Sequence, residues 1–258
     1  MYPLSVVIIT YNEEKNIKRC IESVSKIANE VIVVDSFSDD DTVKIAVAMG
    51  AVVKQSKFND YISQKNKAIT LATYNYVLLL DADEALNEAL AMSILKEKES
   101  FGFKAYAMKR CNIFCGRPIK HGLWYPDKKL RLFDKRWGNC GGMNPHDKIV
   151  MHANTEVKLL NGDIMHYTFN TVKEYQHRNE QVSSIAAQSL YDAGFKKYRF
   201  KIIFSPLWAF INGYILRLGF LEGREGFLIG VLTAHQSFLK YQKLRQLQKQ
   251  GVPKMVCE

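Results

Sequence analysis

The sequence predicts an α/β fold, a mostly parallel sheet flanked by helices, with a helical extension at the C-terminal end. Three observations predict it. Short apolar runs without alternation, such as Tyr76-Val-Leu-Leu-Leu-Asp81, read as strands buried on both faces. Stretches with apolar residues at helical spacing separate those runs. The first, second and fourth runs each end in polar or acidic residues, as the carboxyl edge of an open parallel sheet does where ligands bind.

Leu4-Ser-Val-Val-Ile-Ile-Thr10 is a β-branched first strand, followed by the polar turn Tyr11-Asn12-Glu13-Glu14. A helix follows, with Ile17, Cys20, Ile21 and Val24 on one face. Glu30 to Asp35 is the second strand, and Ser36 to Thr42 is an exit loop rich in helix-capping residues. Val43 to Met49 is a short helix stopped by Gly50, Ala51 to Gln55 a third strand, and Tyr61 to Leu71 a helix before the strand ending at Asp81. This β-α-β-α-β-α-β order requires crossover helices and parallel pairing. Asn87 to Lys98 is a further helix, with Glu84 expected as its cap.

Beyond it the pattern changes. Phe103 to Arg110, Lys129 to Phe133 and Lys148 to Met151 read as short strands among Gly- and Pro-containing loops, a natural mounting for acceptor-binding groups. Leu159 to His166 reads as a strand or a hairpin turning at Asn161-Gly162. From Thr171 onward the period is helical, so the expected division is a sheet domain over 1–170 and a helical, basic segment over 171–258.

Hydrophobic content of 47% is that of a globular protein. The five cysteines match neither a disulfide framework nor a zinc site, and Met1 to Thr10 has no basic region or cleavage site of a secretory signal. A cytoplasmic protein with reduced thiols is expected. The net charge of +10 is uneven: Lys196 to Glu258 holds eleven Lys or Arg against three Asp or Glu. Such a segment calls for an anionic partner, a nucleic acid or an acidic membrane surface. Ile202 to Leu221 is apolar and aromatic, but Ser205, Pro206, Asn212 and Arg217 make it a poor membrane span.

The strand ends carry the candidate chemistry. Thr10, Tyr11 and Glu13 follow the first strand, Asp35 ends the second, and Asp81 and Asp83 end the fourth. Two residues apart on an extended chain, Asp81 and Asp83 point the same way and suit a divalent cation, Mg2+ or Mn2+, which in turn holds a diphosphate. Tyr11 offers a flat face for a base, and Asp35 a carboxylate for a ribose hydroxyl or base N–H. Each also has a plainer reading as a strand-terminating or helix-starting residue. No G-x-G-x-x-G follows the first strand and no P-loop motif is present. A nucleotide diphosphate is the ligand these ends suit together.

Val6-Val-Ile-Ile-Thr-Tyr11-Asn12-Glu13, Val33-Val-Asp35-Ser-x-Ser38-x-Asp40-x-Thr42, Gln64-Lys65-Asn66-Lys67-Ala68 and Leu78-Leu-Leu-Asp81-Ala-Asp83-Glu84 stand in order over the first hundred residues. They resemble the inverting glycosyltransferases of family 2. The resemblance implies the GT-A nucleotide-sugar-binding fold and a nucleotide-diphosphate sugar donor, most commonly a UDP-hexose. Arg131-Leu-Phe133, Asn144-Pro-His146-Asp147, Gly162-x-Ile164-x-His166-Tyr167 and Gly219 to Phe227 resemble a subgroup that includes lipopolysaccharide core glucosyltransferases acting on heptose. Where that subgroup often has His-Glu, this chain has His146-Asp147.

The resemblance implies a division of roles. Asp83 would hold the metal with Asp81 beside it, and Asp81 would meet donor sugar or ribose. Asp147 would be the acceptor's general base, or else a loop cap, and His146 an orienting residue. Arg131 would bind diphosphate or acceptor phosphate, or form an ordinary strand-edge ion pair. Lys65 would reach the nucleotide, or lie on a solvated helix face. The acceptor would be a glycan or lipid-linked glycan. Trp208, Phe210, Tyr214 and Phe220 amid Lys and Arg would seat the protein peripherally on an anionic inner membrane face, or pack as core. Two other classes remain as alternatives. A nucleotidyltransferase would want a Gly-rich basic loop where Tyr11 to Glu14 is acidic, and a nucleic-acid-binding protein would be repelled by acids gathered at the sheet edge.

Overall fold

The computed structural model describes residues 1–143, 146–196 and 198–250, with the side chains of Met143 and His146 left aside. Asn144 and the His146 side chain, both singled out above, therefore lie outside what is described.

The first half alternates strand and helix: β1 (Leu4–Thr10), α1 (Ile17–Val24), β2 (Glu30–Asp35), α2 (Thr42–Ala48), β3 (Val52–Gln55), α3 (Tyr61–Leu71) and β4 (Tyr76–Asp81). A short β5 (Glu84–Leu86) and α4 (Glu88–Glu97) follow. Then come β6 (Ala105–Phe114), β7 (Arg117–Pro118), β8 (Asp127–Asp134), β9 (Gly138–Met143), β10 (His146–Met151) and β11 (Val157–Phe169). The chain closes with α5 (Val172–Asp192), α6 (Tyr198–Phe210), a π-helical turn (Ile211–Leu216), a 3-10 turn (Gly219–Glu222) and α7 (Gly223–Gln250).

The main sheet runs β3-β2-β1-β4-β8-β6-β11-β5, with β7 on β6. β3, β2, β1 and β4 are parallel, whereas β4–β8, β8–β6 and β11–β5 pair antiparallel. β9 and β10 form a separate hairpin. The apolar runs behave as strands between two layers. Val6, Ile8, Leu78 and Leu80 enter one core with Ile17, Cys20, Ile21 and Val24 of α1. Val7, Val34, Val77 and Leu79 enter the other, with Ala68 and Ile69 of α3. A strand feeding both layers has no polar face to show, hence the unbroken apolar runs.

The chain divides into two compact units: 1–111 with 127–167, and 112–126 with 168–258. In the second, Phe114, Ile119, Tyr175, Ile229 and Leu232 form one core, and Ala187, Tyr241 and Leu244 another. Tyr175 shares a hydrogen bond with Thr233, and Asn179 donates to the Leu232 carbonyl, so α5 and α7 are tied by polar contacts as well as by packing. The aromatic stripe of the C-terminal segment splits. Phe210 and Tyr214 pack against Phe227, while Trp208 and Phe220 are exposed.

Two local expectations give way. Glu84 does not cap the following helix: its side chain is buried in β5, and Asn87 caps α4 by accepting from the Leu90 amide at 2.9 Å. Asn161-Gly162 is not a hairpin turn either, because β11 runs through it unbroken. Gly162 has φ +98°, and a Cβ there would stand 2.6 Å from Leu90 Cα and 2.8 Å from Asn87 Oδ1. The glycine is required because the first turn of α4 passes directly over the strand.

Gly162→Ala combines left-handed strain with that clash. It should destabilise the protein by about 3 kcal/mol, read from urea unfolding monitored by circular dichroism. A change below about 0.5 kcal/mol would rule out the close approach.

Candidate active site

Parallel register brings the three strand ends level. Thr10 pairs with Asp35 across β1–β2, and Ile9 pairs with Asp81 across β1–β4. The strand order changes direction between β1 and β4, where open α/β sheets bind ligands.

The loops above β1 and β2 are held to each other by side chains. Asn12 N donates to Ser38 Oγ (2.8 Å), Glu13 N to Thr42 Oγ1 (2.8 Å) and Glu14 N to Asp40 Oδ2 (3.1 Å). Asn12 Oδ1 accepts from Asp39 N in return. The Ser, Asp and Thr at alternate positions of the 36–42 loop therefore bind the Tyr11–Glu14 turn; at the N-cap of α2, Asp41 makes no side-chain capping bond and pairs with Lys44 instead. Asp35 is fully buried, and its carboxylate accepts from Ser38 N and Oγ and from Gln55 Nε2. Tyr11 and Phe37 stand out beside these loops, 58% and 55% exposed.

The Gln64-Lys65-Asn66 triplet in the middle of α3 serves three neighbours. Gln64 donates to Ser36 Oγ at 3.0 Å. Asn66 clamps β9 through both amide atoms, donating to the Cys140 carbonyl (2.8 Å) and accepting from Cys140 N (2.9 Å). That clamp fixes the hairpin carrying Asp147. Lys65 is buried, and its ammonium lies 2.8 Å from Asp147 Oδ2 and 3.1 Å from Asp81 Oδ1. The solvated-face alternative for Lys65 is therefore gone.

Asp81 also receives Arg131, whose Nη2 reaches Asp81 Oδ2 at 2.8 Å and Glu84 Oε1 at 2.9 Å. Glu84 in turn accepts from Asp81 N at 3.1 Å, and Arg110 approaches it at 3.5 Å. Burial alone would raise the Asp81 carboxyl, but Arg131 and Lys65 outweigh it and hold the group well below the usual carboxylate range. Burial would likewise lower the Arg131 guanidinium, and Glu84 and Asp81 more than reverse that. Burial, reinforced by the Asp147 carboxylate, pushes the neighbouring Cys140 thiol up to about 11.

Asp83 faces other partners. Past the end of β4 the chain turns, and Asp83 Oδ2 lies 3.1 Å from His166 Nε2 of β11. The Asp83 carbonyl accepts from Tyr167 N, and the Arg19 guanidinium stacks 3.2 Å over the Tyr167 ring. Glu13 belongs to this side: burial raises its carboxyl, with Asp83 and Asp40 adding and Asn16 opposing. The two carboxylates of the D-x-D pair thus have different surroundings, Asp81 among cations and Asp83 beside an imidazole. His166, Asn66 and Phe37 were given no role from sequence; His166 and Asn66 did stand within the motifs there.

Among the described residues no three His, Cys, Asp or Glu side chains form a metal-binding group. Asp83 and His166 supply a carboxylate oxygen and an imidazole nitrogen, a pair that suits Mn2+ or Mg2+ when substrate phosphate and water complete the shell. Among the described residues two buried polar atoms, Thr10 Oγ1 and Arg131 Nε, lack a hydrogen-bond partner. They belong to residues at or beside the level strand ends, and such atoms in a native fold call for an explanation.

Residues 5–153 match the family model described as glycosyl transferase family 2. An uncharacterized glycosyltransferase of Rickettsia typhi is 33% identical over 258 residues, covering 96% of this chain and 88% of that protein. The lipopolysaccharide core biosynthesis glycosyltransferase LpsC of Rhizobium meliloti is 26% identical over 260 residues, covering 95% of this chain and 92% of LpsC. Among solved structures, glucosyl-3-phosphoglycerate synthase from Mycobacterium tuberculosis, in complex with Mn2+, UDP and glucosyl-3-phosphoglycerate, is similar at 23% identity. The TM-score is 0.37, and the match spans 43% of this chain and 44% of that one.

Arg131→Met should cost about 3–5 kcal/mol at neutral pH, because it strands the Asp81 and Glu84 carboxylates beside one another. Asp81's folded value is depressed, so its contribution is present above the unfolded value near 4 and is lost as pH falls below it. The stability gap between wild type and variant should therefore narrow below about pH 4 in a urea series. A gap independent of pH would show that Arg131 acts by packing alone.

Proposed function

The chain belongs to glycosyl transferase family 2, with its GT-A fold, and from that premise we propose that it moves a hexose from a nucleotide-diphosphate sugar, UDP-hexose foremost, to a glycan hydroxyl with inversion. The observation that carries this reading is the level meeting of Thr10, Asp35 and Asp81 at the sheet's switch point, together with Thr10 Oγ1 and Arg131 Nε, which lack a hydrogen-bond partner among the described residues. A polar ligand at that edge completes what the protein leaves unsatisfied.

Tyr11 and Phe37 give the base two flat apolar faces, and Asp35 meets the ribose by exchanging its bond to the Ser38 hydroxyl. Lys65 and Arg131 offset the diphosphate's charge from the sheet side. Asp83 and His166 would hold a divalent cation, with Glu13 near enough for its carboxyl to be raised by Asp83. Such an ion supplies Lewis-acid stabilisation of the leaving diphosphate. Asp81 holds Arg131 through Oδ2 and Lys65 through Oδ1, and so aims both cations at the donor.

Asp147 removes the acceptor proton. Lys65 at 2.8 Å orients its carboxylate, and an arriving diphosphate competes for that ammonium, which releases Oδ2 as an acceptor of the hydroxyl proton. Coupling the base to the donor in this way keeps the base quiet until the donor is present.

The acceptor we favour is a lipid-linked bacterial surface glycan, as in lipopolysaccharide core assembly, met at the cytoplasmic face of the membrane. Two things support it: the near full-length similarity to LpsC and the basic C-terminal segment.

In a thermal-shift series of UDP, GDP and dTDP with Mn2+ or Mg2+, a ligand at a hundred times its Kd should stabilise the wild type by about 2.7 kcal/mol. Asp83→Ala should lose the metal-dependent part of that shift and its transfer activity. Full transfer by this variant would remove Asp83 from the metal site.

Asp147→Asn should keep the nucleotide shift and lose roughly 10²- to 10⁴-fold in transfer. Unchanged turnover would place the base elsewhere.

A further inference from the structure

We propose that the elbow formed by α6 and the start of α7 is a membrane-inserting element, which seats in the headgroup layer of an anionic bilayer and dips its apolar tip beneath it. The proposal rests on the reading above that the acceptor is lipid-linked.

α6 exposes Phe200, Ile203, Phe204, Leu207 and Trp208, the i, i+3, i+4, i+7, i+8 face of one helix. Phe200 is 78% and Trp208 60% exposed, values at odds with their side chains unless that face is covered by something else. The face continues around the bend through Ile215, Leu216, Leu218 and Leu221, all exposed.

The exposure does not come from a missing interior partner. The inward side of the elbow is closed on itself: a Cβ on Gly219 would stand 2.6 Å from the Gly213 carbonyl oxygen, and one on Gly230 would stand 3.2 Å from the Phe210 ring. Phe210 and Tyr214 meet the Phe227 ring edge-on, at 6.0 and 5.8 Å. Glycine at these crossings lets the backbones close up and leaves the large side chains no inward direction to take.

Charge selects the occupant. Arg199, Lys201, Arg217 and Arg224 are exposed around the same face, and none forms an ion pair among the described residues. A second copy packed isologously would set these cations against themselves. Anionic headgroups would neutralise them while the acyl layer takes the apolar side chains. Arg217, between Leu216 and Leu218 at the tip, has a stem long enough to return its guanidinium to the phosphates.

Geometry favours lying in the interface. Among the described residues no single helix is long and apolar enough to cross a membrane; the two helical arms, Tyr198–Leu216 and Gly219–Gln250, reach that length and composition only together, and they are bent by 73°. A helix the length of α6 reaches about 20 Å, short of the ~30 Å hydrocarbon core.

The test is flotation of the full chain with vesicles of phosphatidylglycerol and phosphatidylethanolamine, set against phosphatidylcholine alone. Flotation is expected with the first and should weaken with added salt. Lipids brominated near the headgroup should quench tryptophan emission in wild type and much less in Trp208→Phe. The double variant Phe204→Glu/Trp208→Glu changes only exposed positions and should lose binding by about a hundredfold or more. Arg199→Glu with Arg217→Glu should lose roughly thirtyfold or more, since each basic residue near an anionic surface contributes about fivefold.

Absence of flotation overturns the proposal, as does quenching indifferent to Trp208. So does a wild type that is dimeric without lipid and becomes monomeric in the Phe204→Glu/Trp208→Glu variant, which would make the face a contact between copies. These measurements use neither donor nor acceptor, and the same variant should keep the metal-dependent UDP shift. Failure of the membrane reading and failure of the transferase reading are therefore separable.

Discussion

The first unit depends on a buried set of charges where β4 ends. Lys65 and Arg131 sit among Asp81, Glu84 and Asp147, with contacts of 2.8 to 3.1 Å. Burying such a set is costly, and an apolar core of equal volume is often as stable or more so. These charges instead join five elements at one point: α3 brings Lys65, β4 Asp81, β5 Glu84, β8 Arg131 and the β9–β10 hairpin Asp147. Among the described residues two polar atoms at or beside it, Thr10 Oγ1 and Arg131 Nε, lack a hydrogen-bond partner. A core built only for stability would satisfy those atoms. One built to receive a charged ligand leaves them open.

The same set explains why Asp81 and Asp83 diverge. With Lys65 and Arg131 already on Asp81, a divalent cation there would meet two positive neighbours. Asp83, turned toward His166 and flanked by Glu13, has acidic and imidazole company instead. The turn after β4 therefore separates two electrostatic surroundings only two residues apart in sequence. One suits anionic parts of a ligand, and the other suits a cation.

Much of this fold was legible because parallel strands buried on both sides announce themselves. The helix over Tyr61–Leu71 and the strands Leu4–Thr10 and Glu30–Asp35 have the bounds their sequence periodicity implies. The strand-end acids were legible too, since the topology that levels them follows from the βαβ order. The partners of those acids were not. Lys65 meets Asp147 82 residues away, and His166 meets Asp83 across 83. No local period encodes such a pairing, so Lys65 on a helix read equally well as a solvated lysine. Asn66 resembles any polar helix residue until its amide is seen to clamp the Cys140 backbone. Glu84 misled for a related reason. An acid just before a helix looks like a cap, but β5 and Arg131 draw it into the interior, and Asn87 takes the capping place.

The second unit raises the opposite problem, apolar surface that the fold leaves outside. Its cores are small and aromatic, closed by Phe114, Trp124, Phe169 and Tyr175 in mutual ring contact. Around the elbow the interior is closed, because Gly219 and Gly226 bring backbone against backbone while Gly213 and Gly230 make room for the Leu123 and Phe210 side chains. Larger residues at those glycines would push the helices apart and open an inward groove for Trp208 or Phe204 to fold into. Keeping the seam narrow denies them that route, so outward projection follows from the backbone packing itself. Polar residues in place of Phe200, Phe204 and Trp208 would leave the seam untouched and the surface ordinary. The elbow instead combines a seam that tolerates no side chain with an outer face of large apolar ones, and that combination is intelligible when the outer face has a covering of its own.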